Sequence, residues 1–285
     1  MKVGFIGAGR MGFTLGKHLK DSGCVDLSGY YSRNPDSART AAQFTDTKYY
    51  DDLEKILSES DVLFLTVPDG QISVMADVLD RLDGYLEGKI LCHTSGALSS
   101  KVFSGIHSHI YGYSIHPIYA VSSKTESYKK FKESFITIEG HDRYLSDFVS
   151  LFEGMGHMVK VIKEEDKVRY HGAAVMASNL VIGLYHLAIT ELTKCGFSET
   201  EARAAINPLF INNANRLIDT DEKSALTGPV ERCDTGTVLK HLDKFSGDSE
   251  KIYRLLSAQL LDIAKQKHGP SGSEKYNELE RIIGG

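Results

Sequence analysis

The feature that most constrains the fold is a glycine-rich turn near the start of the chain. Residues 2–9, KVGFIGAG, form a short apolar run that ends in glycines, and residues 10–23 show helical periodicity up to a glycine. A GxGxxG pattern in this context permits a tight turn and leaves room for a pyrophosphate at the helix N-terminus. The residues that we assign to this dinucleotide-binding turn are Gly7, Ala8, Gly9, Arg10, Met11 and Gly12.

Apolar runs alternate with helical patterns up to about residue 162. The runs VLFLTVPD, GKILCHTSG and IYGYSIHP have the texture of buried strands, and SFITIEG and HMVKVI are expected to complete the sheet. Such alternation predicts an α/β fold with a parallel sheet and helices on both faces. After Ile162 the strand signals nearly vanish, and long helical patterns follow. We place a Rossmann-type domain at residues 1–162 and an all-helical domain at residues 163–285.

Charge and cysteine content exclude several classes of protein. The net charge is −5, so no global basic field suggests a nucleic acid or an anionic membrane as partner. Four scattered cysteines without CxxC spacing predict neither a zinc site nor a disulfide framework, and we assign no metal. The chain opens directly into a strand, so we expect no secretory signal and a cytoplasmic protein.

One stretch of the second domain is unusually apolar. Residues 172–190 carry no formal charge and are nearly long enough to span a bilayer. Polar residues such as Asn179 and His186 interrupt the stretch, so we expect a central helix that is buried within the helical domain. In the tail we expect a turn at residues 269–272 and then a short terminal helix.

The stretch LSGYYSRNP, residues 27–35, indicates which dinucleotide the turn binds. It lies about twenty residues past the glycines, where chains that bind NAD usually carry an acidic residue for the ribose hydroxyls. This chain has Ser32 and Arg33 there, which can hydrogen-bond and pair with the 2′-phosphate of NADP. We therefore predict NADP as the cofactor. The open alternative is a polar turn before a helix, above all for Asn34 and Pro35.

Three further strand ends carry distinctive residues, TVPD at 66–69, HTSG at 93–96 and SIHP at 114–117. Ligands of open parallel sheets bind beyond the carboxyl ends of the strands, so we expect all three near one site. The residues that we assign to the cofactor there are Val67, Pro68 and Thr94.

Ser95 and His116 are the polar groups at these ends that are placed to touch a substrate. His116 can protonate a developing alkoxide or amine near neutral pH, and Ser95 can orient a carbonyl or carboxylate. An equal alternative for His116 is a turn that fixes the chain at Pro117. We interpret Asp69 as a helix cap, because a helix begins there.

Together these motifs resemble the Rossmann-like proteins that carry the domain of unknown function 2520 (DUF2520). Those proteins are relatives of the β-hydroxyacid dehydrogenases, the pyrroline-5-carboxylate reductases and the F420-dependent NADP oxidoreductases. The resemblance covers nearly the whole chain and rests on GFIGAGRMG, YYSRNP, TVPD, HTSGAL, SIHP, YHGAAVMASN and LTGPVERCDTGTVLKHL. It implies a dinucleotide-binding domain, then a helical domain of the 6-phosphogluconate-dehydrogenase type that forms a homodimer. It implies NADP more often than NAD, and no particular substrate.

One departure from these relatives concerns the acid–base group. β-Hydroxyacid dehydrogenases carry a lysine one helical turn before an asparagine on the first long helix of the second domain. If Asn179 matches that asparagine, the lysine position holds Val175, which cannot move a proton. His171 and then Lys167 follow on the same face at i+4 spacing, so His171 and Asn179 are candidate site residues. The alternative is that both satisfy polar neighbours in a buried helix packing.

The segment TGPVERCD, residues 227–234, tends to line the site in relatives. Locally it predicts a helix that is capped by Thr227 and has Pro229 in its first turn. Arg232 is a candidate for binding a substrate carboxylate. Cys233 stands where a glycine is expected, which argues against a tight backbone approach at that point.

Two classes of function are compatible with these residues. The first is an NADP-dependent oxidoreductase that transfers a hydride between nicotinamide and a small carbonyl or imine in the interdomain cleft. In that case His116 or His171 moves the proton, and hydride exchange with coenzyme F420 is a variant. The second is an NADP-binding sensor or scaffold without catalysis, which the valine at position 175 favours and the polar strand ends oppose.

Overall fold

The structure is a computed structural model that describes residues 1–269 and 273–285. The chain divides into two compact units, Met1–Ser178 and Asn179–Gly285. The sequence boundary at 162/163 marks the end of the strands, whereas the compact units divide after the helix that follows. The turn predicted at residues 269–272 lies mostly outside the described residues.

The first unit is built on one eight-stranded sheet. Its strands are β1 (Lys2–Ile6), β2 (Asp26–Tyr31), β3 (Lys48–Tyr50), β4 (Val62–Leu65), β5 (Ile90–His93), β6 (Tyr111–Ile118), β7 (Phe135–Gly140) and β8 (Met158–Val161). They lie in the order 3-2-1-4-5-6-7-8, and all neighbours are parallel except β6 and β7. The first six positions have the Rossmann order, which reverses between β1 and β4. The predicted Rossmann-type fold is confirmed.

Helices cover both faces of this sheet. They are α1 (Arg10–Ser22), α2 (Pro35–Thr45), α3 (Leu53–Glu59), α4 (Ile72–Asp80), α5 (Leu145–Gly154) and α6 (Lys167–Met176). Successive strand residues point to opposite faces. Phe64 therefore packs in the core with residues of α1, α2 and α5, whereas Leu63 and Leu65 pack with α3 and α4. Burial on both faces explains why the strands read as continuous apolar runs.

The second unit is all-helical over its described residues, as predicted. Its helices are α7 (Asn179–Lys194), α8 (Glu199–Asp219), α9 (Glu222–Ala225), α10 (Thr235–Lys244), α11 (Asp248–His268) and α12 (Ser273–Gly284). Helix α8 begins with a capping box, in which the side chains of Ser198 and Glu201 each bond the other's backbone.

The segment 227–234 differs from its prediction. Residues 229–233 form turns, and α10 begins only at Thr235, with Asp234 as its N-cap. The predicted cap at Thr227 is wrong, because the helix begins after Asp234. The Asp234 carboxylate caps it by accepting hydrogen bonds from the backbone N–H and the hydroxyl of Thr237, at 3.0 and 2.7 Å. Cys233 has a φ of 53°, the left-handed conformation that glycine adopts most easily. The expectation of a glycine there therefore has a conformational basis.

The apolar stretch at 172–190 is divided between α6 and α7. By length and composition, the helical stretch Glu164–Lys194 could cross a membrane, with a mean hydropathy of 1.6 in its most apolar window. Only 6% of that window is buried, so the predicted burial within the helical domain is wrong for a single copy of the chain. Leu180 and Ile182 project from opposite sides of α7. One neighbouring layer cannot cover both, and they are 57% and 68% exposed.

Gly29 of β2 provides a test of the sheet register. Its φ is 142°, and a Cβ there would collide with the carbonyl oxygen of its β3 partner, Lys48. Gly29→Ala should lower the free energy of unfolding by about 2 kcal/mol or more, because the backbone and its neighbour must both move. Gly172→Ala in α6, where an added Cβ has nothing within 4 Å, should raise it by up to about 1 kcal/mol. Urea unfolding measures both, and similar effects at the two sites would contradict the register.

Candidate functional site

The glycine turn joins β1 to α1 at the point where the strand order reverses. Gly7 has a φ of 111°, its N–H donates to the Tyr31 carbonyl at 2.8 Å, and a Cβ on it would lie 2.7 Å from the Thr66 carbonyl oxygen. A Cβ on Gly12 would lie 2.6 Å from the Gly7 carbonyl oxygen. Gly9 differs, because the nearest atom to an added Cβ is 3.7 Å away. Two glycines thus hold the helix close to the strands, and the third leaves space for a ligand.

A cavity of about 340 Å³ opens at this turn, and none of the described residues that line it is acidic. The predicted cofactor residues that line it are Gly7, Ala8, Gly9, Ser32, Arg33, Val67 and Pro68. The predicted cofactor residues outside its lining are Arg10, Met11, Gly12 and Thr94. The structure therefore brings the glycine turn and the Ser32–Arg33 pair to one cavity.

The SRNP stretch, residues 32–35, forms a turn before α2 and also presents the positively charged side chain of Arg33. Asn34 caps α2 through its side-chain oxygen, which accepts from the Asp36 N–H at 3.0 Å, and Pro35 is the first helical residue. The turn alternative is thus confirmed for these two positions. Arg33 is exposed and forms no ion pair with any residue that the structure describes. Its guanidinium is available to an anion at the cavity.

A second cluster lies beyond the carboxyl end of β5. His116 and Pro117 lie within β6, paired with β7, so the predicted alternative of a turn at Pro117 is wrong. His116 Nδ1 is 2.7 Å from the hydroxyl of Tyr170 in α6, and the Thr137 hydroxyl donates to the same oxygen at 2.9 Å. The other acceptor near Thr137, the His116 carbonyl oxygen, is farther away at 3.2 Å. With Tyr170 accepting from Thr137, its own proton points to His116 Nδ1, and the imidazole proton lies on Nε2.

The charge state of His116 differs from the sequence expectation. Burial, followed by the positive charges of Lys167 and His171, lowers the pKa of His116 to about 4, while Asp69 acts in the opposite direction. At pH 7 the imidazole is therefore neutral, and an imidazolium donor near neutral pH does not fit this site. A neutral ring can still donate its Nε2 proton in a hydrogen bond.

Gly96 brings the second predicted histidine to the same place. A Cβ on Gly96 would collide with His171 Nδ1 and would lie 3.0 Å from His116 Nε2, so both nitrogens face this backbone position. His171 Nδ1 is buried and has no hydrogen-bond partner among the described residues. A buried polar atom without a partner is costly and calls for an explanation. His171 Nδ1 is therefore a candidate ligand contact.

Ser95 is engaged within the protein. Its hydroxyl donates to Asp69 Oδ2 at 2.6 Å and accepts from the Leu98 N–H at 3.1 Å, and the residue is buried. A role in orienting a substrate would require these bonds to change. Asp69 begins a 3₁₀ turn without capping it, so its predicted cap role is wrong. Instead of capping a helix, the Asp69 carboxylate accepts a hydrogen bond from the Ser95 hydroxyl after the neighbouring strand. A local sequence pattern cannot reveal such a contact.

Lys167 of α6 is the most unusual side chain in the cluster. It is 1% exposed, and its ammonium donates to Ser114 Oγ at 2.6 Å and to the Ser95 carbonyl at 3.3 Å. Burial lowers the pKa of Lys167 to about 8, against the opposing charges of Glu139 and Asp69. No ion pair joins it to a carboxylate of the described chain. Buried charges of this kind are costly and concentrate at functional sites.

The structure adds three residues to the predicted site: Lys167, Tyr170 and Thr137. The i+4 spacing of Lys167 and His171 was the available signal for the lysine, whereas nothing local marks Thr137. Asn179 and Arg232 belong to the second unit, and their assignments stay predictions.

Comparison with known families divides the chain into two matched parts. Residues 134–260 match the family described as "Domain of unknown function (DUF2520)". Residues 2–95 match the family described as "NADP oxidoreductase coenzyme F420-dependent". Among curated proteins, no sequence matches this one.

Several solved structures have a similar fold. A protein of Thermotoga maritima is 26% identical, with a TM-score of 0.75 over 93% of this chain and 99% of its own. A Bacteroides fragilis protein proposed to be an NADP oxidoreductase is 26% identical, with a TM-score of 0.64 over 91% and 97%. The Plasmodium falciparum pyrroline carboxylate reductase with NADP bound shares the fold at 14% identity, with a TM-score of 0.57 over 99% and 98%.

The family matches and the solved structures agree with the resemblance that the sequence motifs predict. The second match lies on the glycine turn and the strand ends, and the first covers the last two strands and much of the helical unit. The chain thus has the fold of the NADP-dependent oxidoreductases, and its residues 134–260 are similar to the DUF2520 family.

Proposed function

We propose that this protein is an NADP-dependent oxidoreductase that transfers a hydride between the nicotinamide and a small carbonyl or imine. One observation carries the proposal: the cavity at the glycine turn and the cluster around His116 lie on the same edge of one sheet. Cofactor binding alone would not require the second cluster. Convergent polar groups beside a cofactor site are what a reacting substrate needs.

The residues of the cavity fit NADP in two respects. The open space in front of Gly9 admits a pyrophosphate, and the N-terminus of α1 supplies N–H donors and partial positive charge. Ser32 suits a 2′-phosphate, as does Arg33, which forms no ion pair with the residues described, and none of the described lining residues is an acid that would repel it. When bound, the cofactor supplies the hydride.

The protein's own part in this chemistry is to stabilise the charge that develops on the substrate. A substrate oxygen that gains negative charge would accept a hydrogen bond from the Nε2–H of neutral His116, which keeps its proton, and water would supply the proton that completes the product. The Tyr170 hydroxyl bonds Nδ1 and holds the ring in the tautomer that donates from Nε2. Lys167 contributes positive charge beneath the cluster, which favours the neutral form of His116. His171 Nδ1 offers a second contact at the same position.

One observation favours coenzyme F420 as an alternative redox partner. The family matched by residues 2–95 is described as F420-dependent. That match covers the dinucleotide-binding part alone, so it supports NADP binding and says nothing of where a deazaflavin would lie. An assay that includes a deazaflavin therefore separates the two reactions.

The second unit supports a homodimer. Large apolar side chains stand exposed on α7, α8 and α11, among them Ile182 at 68% and Ile218 at 80%. A groove of about 650 Å³ between these helices is lined mainly by apolar side chains. Monomeric proteins rarely leave contiguous apolar surface of this kind in water. We infer that a second copy of the chain covers it.

The cofactor assignment predicts a selective effect of Arg33→Ala. Removing the guanidinium should lower the affinity for NADPH by about tenfold or more, because a charge-assisted contact to the 2′-phosphate is lost. NADH, which lacks that phosphate, should bind within about twofold of the original protein. Fluorescence titration of both nucleotides measures this, and Arg39→Ala on α2 serves as the matched arginine control. Equal losses for the two nucleotides would show that the stretch is only a turn.

The reaction predicts that turnover depends on the two histidines. The wild-type protein should oxidise NADPH with a member of a panel of 2- and 3-oxo acids, cyclic imines and a deazaflavin. Replacing His116 and His171 together by Asn should lower turnover at least about a hundredfold while NADPH still binds. Full turnover in the double variant would eliminate the roles proposed for the two histidines. Binding of NADPH without turnover on any panel member would favour a sensor.

The pKa of His116 also predicts the pH profile of that turnover. His116 is already neutral above about pH 4, so its titration should cause no rise in kcat/KM as pH falls through 6.5. An imidazolium donor with an ordinary pKa would produce such a rise. The profile between pH 5.5 and 7.5 distinguishes the two.

The homodimer predicts a solution mass of twice the 31.5 kDa of the chain. Ile182→Asp should shift the mass toward one copy, because it places a charge in the apolar interface. Met158→Asp, at an exposed position on β8 of the first unit, is the matched control and should leave the mass unchanged. Light scattering after gel filtration measures both, and a wild-type monomer would refute the dimer.

A further inference from the structure

Lys124 reaches the cofactor cavity from a distant part of the chain. It lies in the segment after β6, yet it lines the same cavity as the glycine turn and Arg33. Its ammonium lies 5.0 Å from the centre of the Phe13 ring, and Phe13 is a buried residue in the first turns of α1. The Lys124 charge therefore stands beside the N-terminal end of α1.

The segment around Lys124 is ordered by its own hydrogen bonds. The Ser123 N–H donates to Ser127 Oγ at 3.0 Å, and the Thr125 N–H donates to Ser123 Oγ at 3.3 Å. The 3₁₀ turn that follows, Ser127–Glu133, packs against α1. These contacts hold the lysine over the cavity, and they require no ligand to do so.

The cavity has two separate cationic positions. Arg33 follows the end of β2, and Lys124 stands on the side of α1. Lys124 forms no ion pair within the described chain, and no described lining residue is a carboxylate that would neutralise either side chain. The partial positive charge of the helix N-terminus adds to that of Lys124. Such an arrangement suits a ligand with two anionic groups at separate positions.

We propose that Lys124 binds the pyrophosphate of the dinucleotide, while Arg33 binds the 2′-phosphate. The assignment rests on the proposed NADP cofactor and follows from the position of each cation. Lys124 is beside the helix end that faces the glycine turn, and Arg33 is beside Ser32 at the ribose position. Lys124 thus supports binding of any dinucleotide, and Arg33 selects the phosphorylated one.

Two fragments of the cofactor separate these roles by direct binding, without turnover. ADP-ribose contains the pyrophosphate and lacks the 2′-phosphate, whereas 2′-AMP contains only the 2′-phosphate. Lys124→Gln should lower the affinity for ADP-ribose about tenfold and leave the affinity for 2′-AMP within about twofold of the wild-type value. Arg33→Ala should give the opposite pattern. Lys130→Gln, an exposed lysine on the adjacent turn that does not line the cavity, is the matched control.

Isothermal titration calorimetry on the full-length protein measures these affinities, and Lys124→Arg should retain most of the affinity for ADP-ribose. The proposal is overturned if Lys124→Gln leaves ADP-ribose unchanged, or if it weakens 2′-AMP as strongly as ADP-ribose. Each of these results leaves the NADP assignment intact. Failure of the wild-type protein to bind NADPH, ADP-ribose or 2′-AMP would instead refute the proposed cofactor.

Discussion

The close approach of α1 to the ends of β1 and β4 is the contact on which the candidate site depends. Neither Gly7 nor Gly12 has space for a Cβ, and the Thr66 hydroxyl donates to the Gly7 carbonyl at 2.8 Å. This contact directs the N-terminus of α1 at the cavity. A side chain at either glycine would push the helix away and open the cavity that Arg33 and Lys124 help to line.

The second half of the site is organised by electrostatics. The Lys167 ammonium is buried, and it donates to a serine hydroxyl of β6 and to a backbone carbonyl that follows β5. Burial of a charge without an ion pair is a poor way to gain stability. It is useful where negative charge develops during a reaction, because fixed positive charge in a dry site acts strongly. A neutral His116 with its proton directed by Tyr170 is compatible with the same purpose.

Interactions between residues close in the sequence could be predicted from the sequence, whereas interactions between distant segments could not. The strands and the meeting of their polar residues at one edge were predictable, because parallel topology places carboxyl ends on one edge, whereas the order of the strands came from the structure. The Asn34 cap is local and could be predicted as well. The role of Asp69 could not, because its carboxylate accepts a hydrogen bond from Ser95, which follows another strand. Asp234, and not Thr227, caps the helix, because the Asp234 carboxylate accepts two hydrogen bonds from Thr237.

The sequence by itself determined the Rossmann-type unit, the all-helical unit and the positions of the glycine turn, Ser32 and Arg33. Each of these depends on residue type and periodicity within a short window. Only the tertiary structure decided that Lys167, Tyr170 and Lys124 join the candidate sites. Lys167 and Tyr170 meet partners more than fifty residues away, and Lys124 lines a cavity begun by residues at the other end of the sheet unit. Packing of the whole unit sets such contacts, and it also sets the burial that keeps His116 neutral.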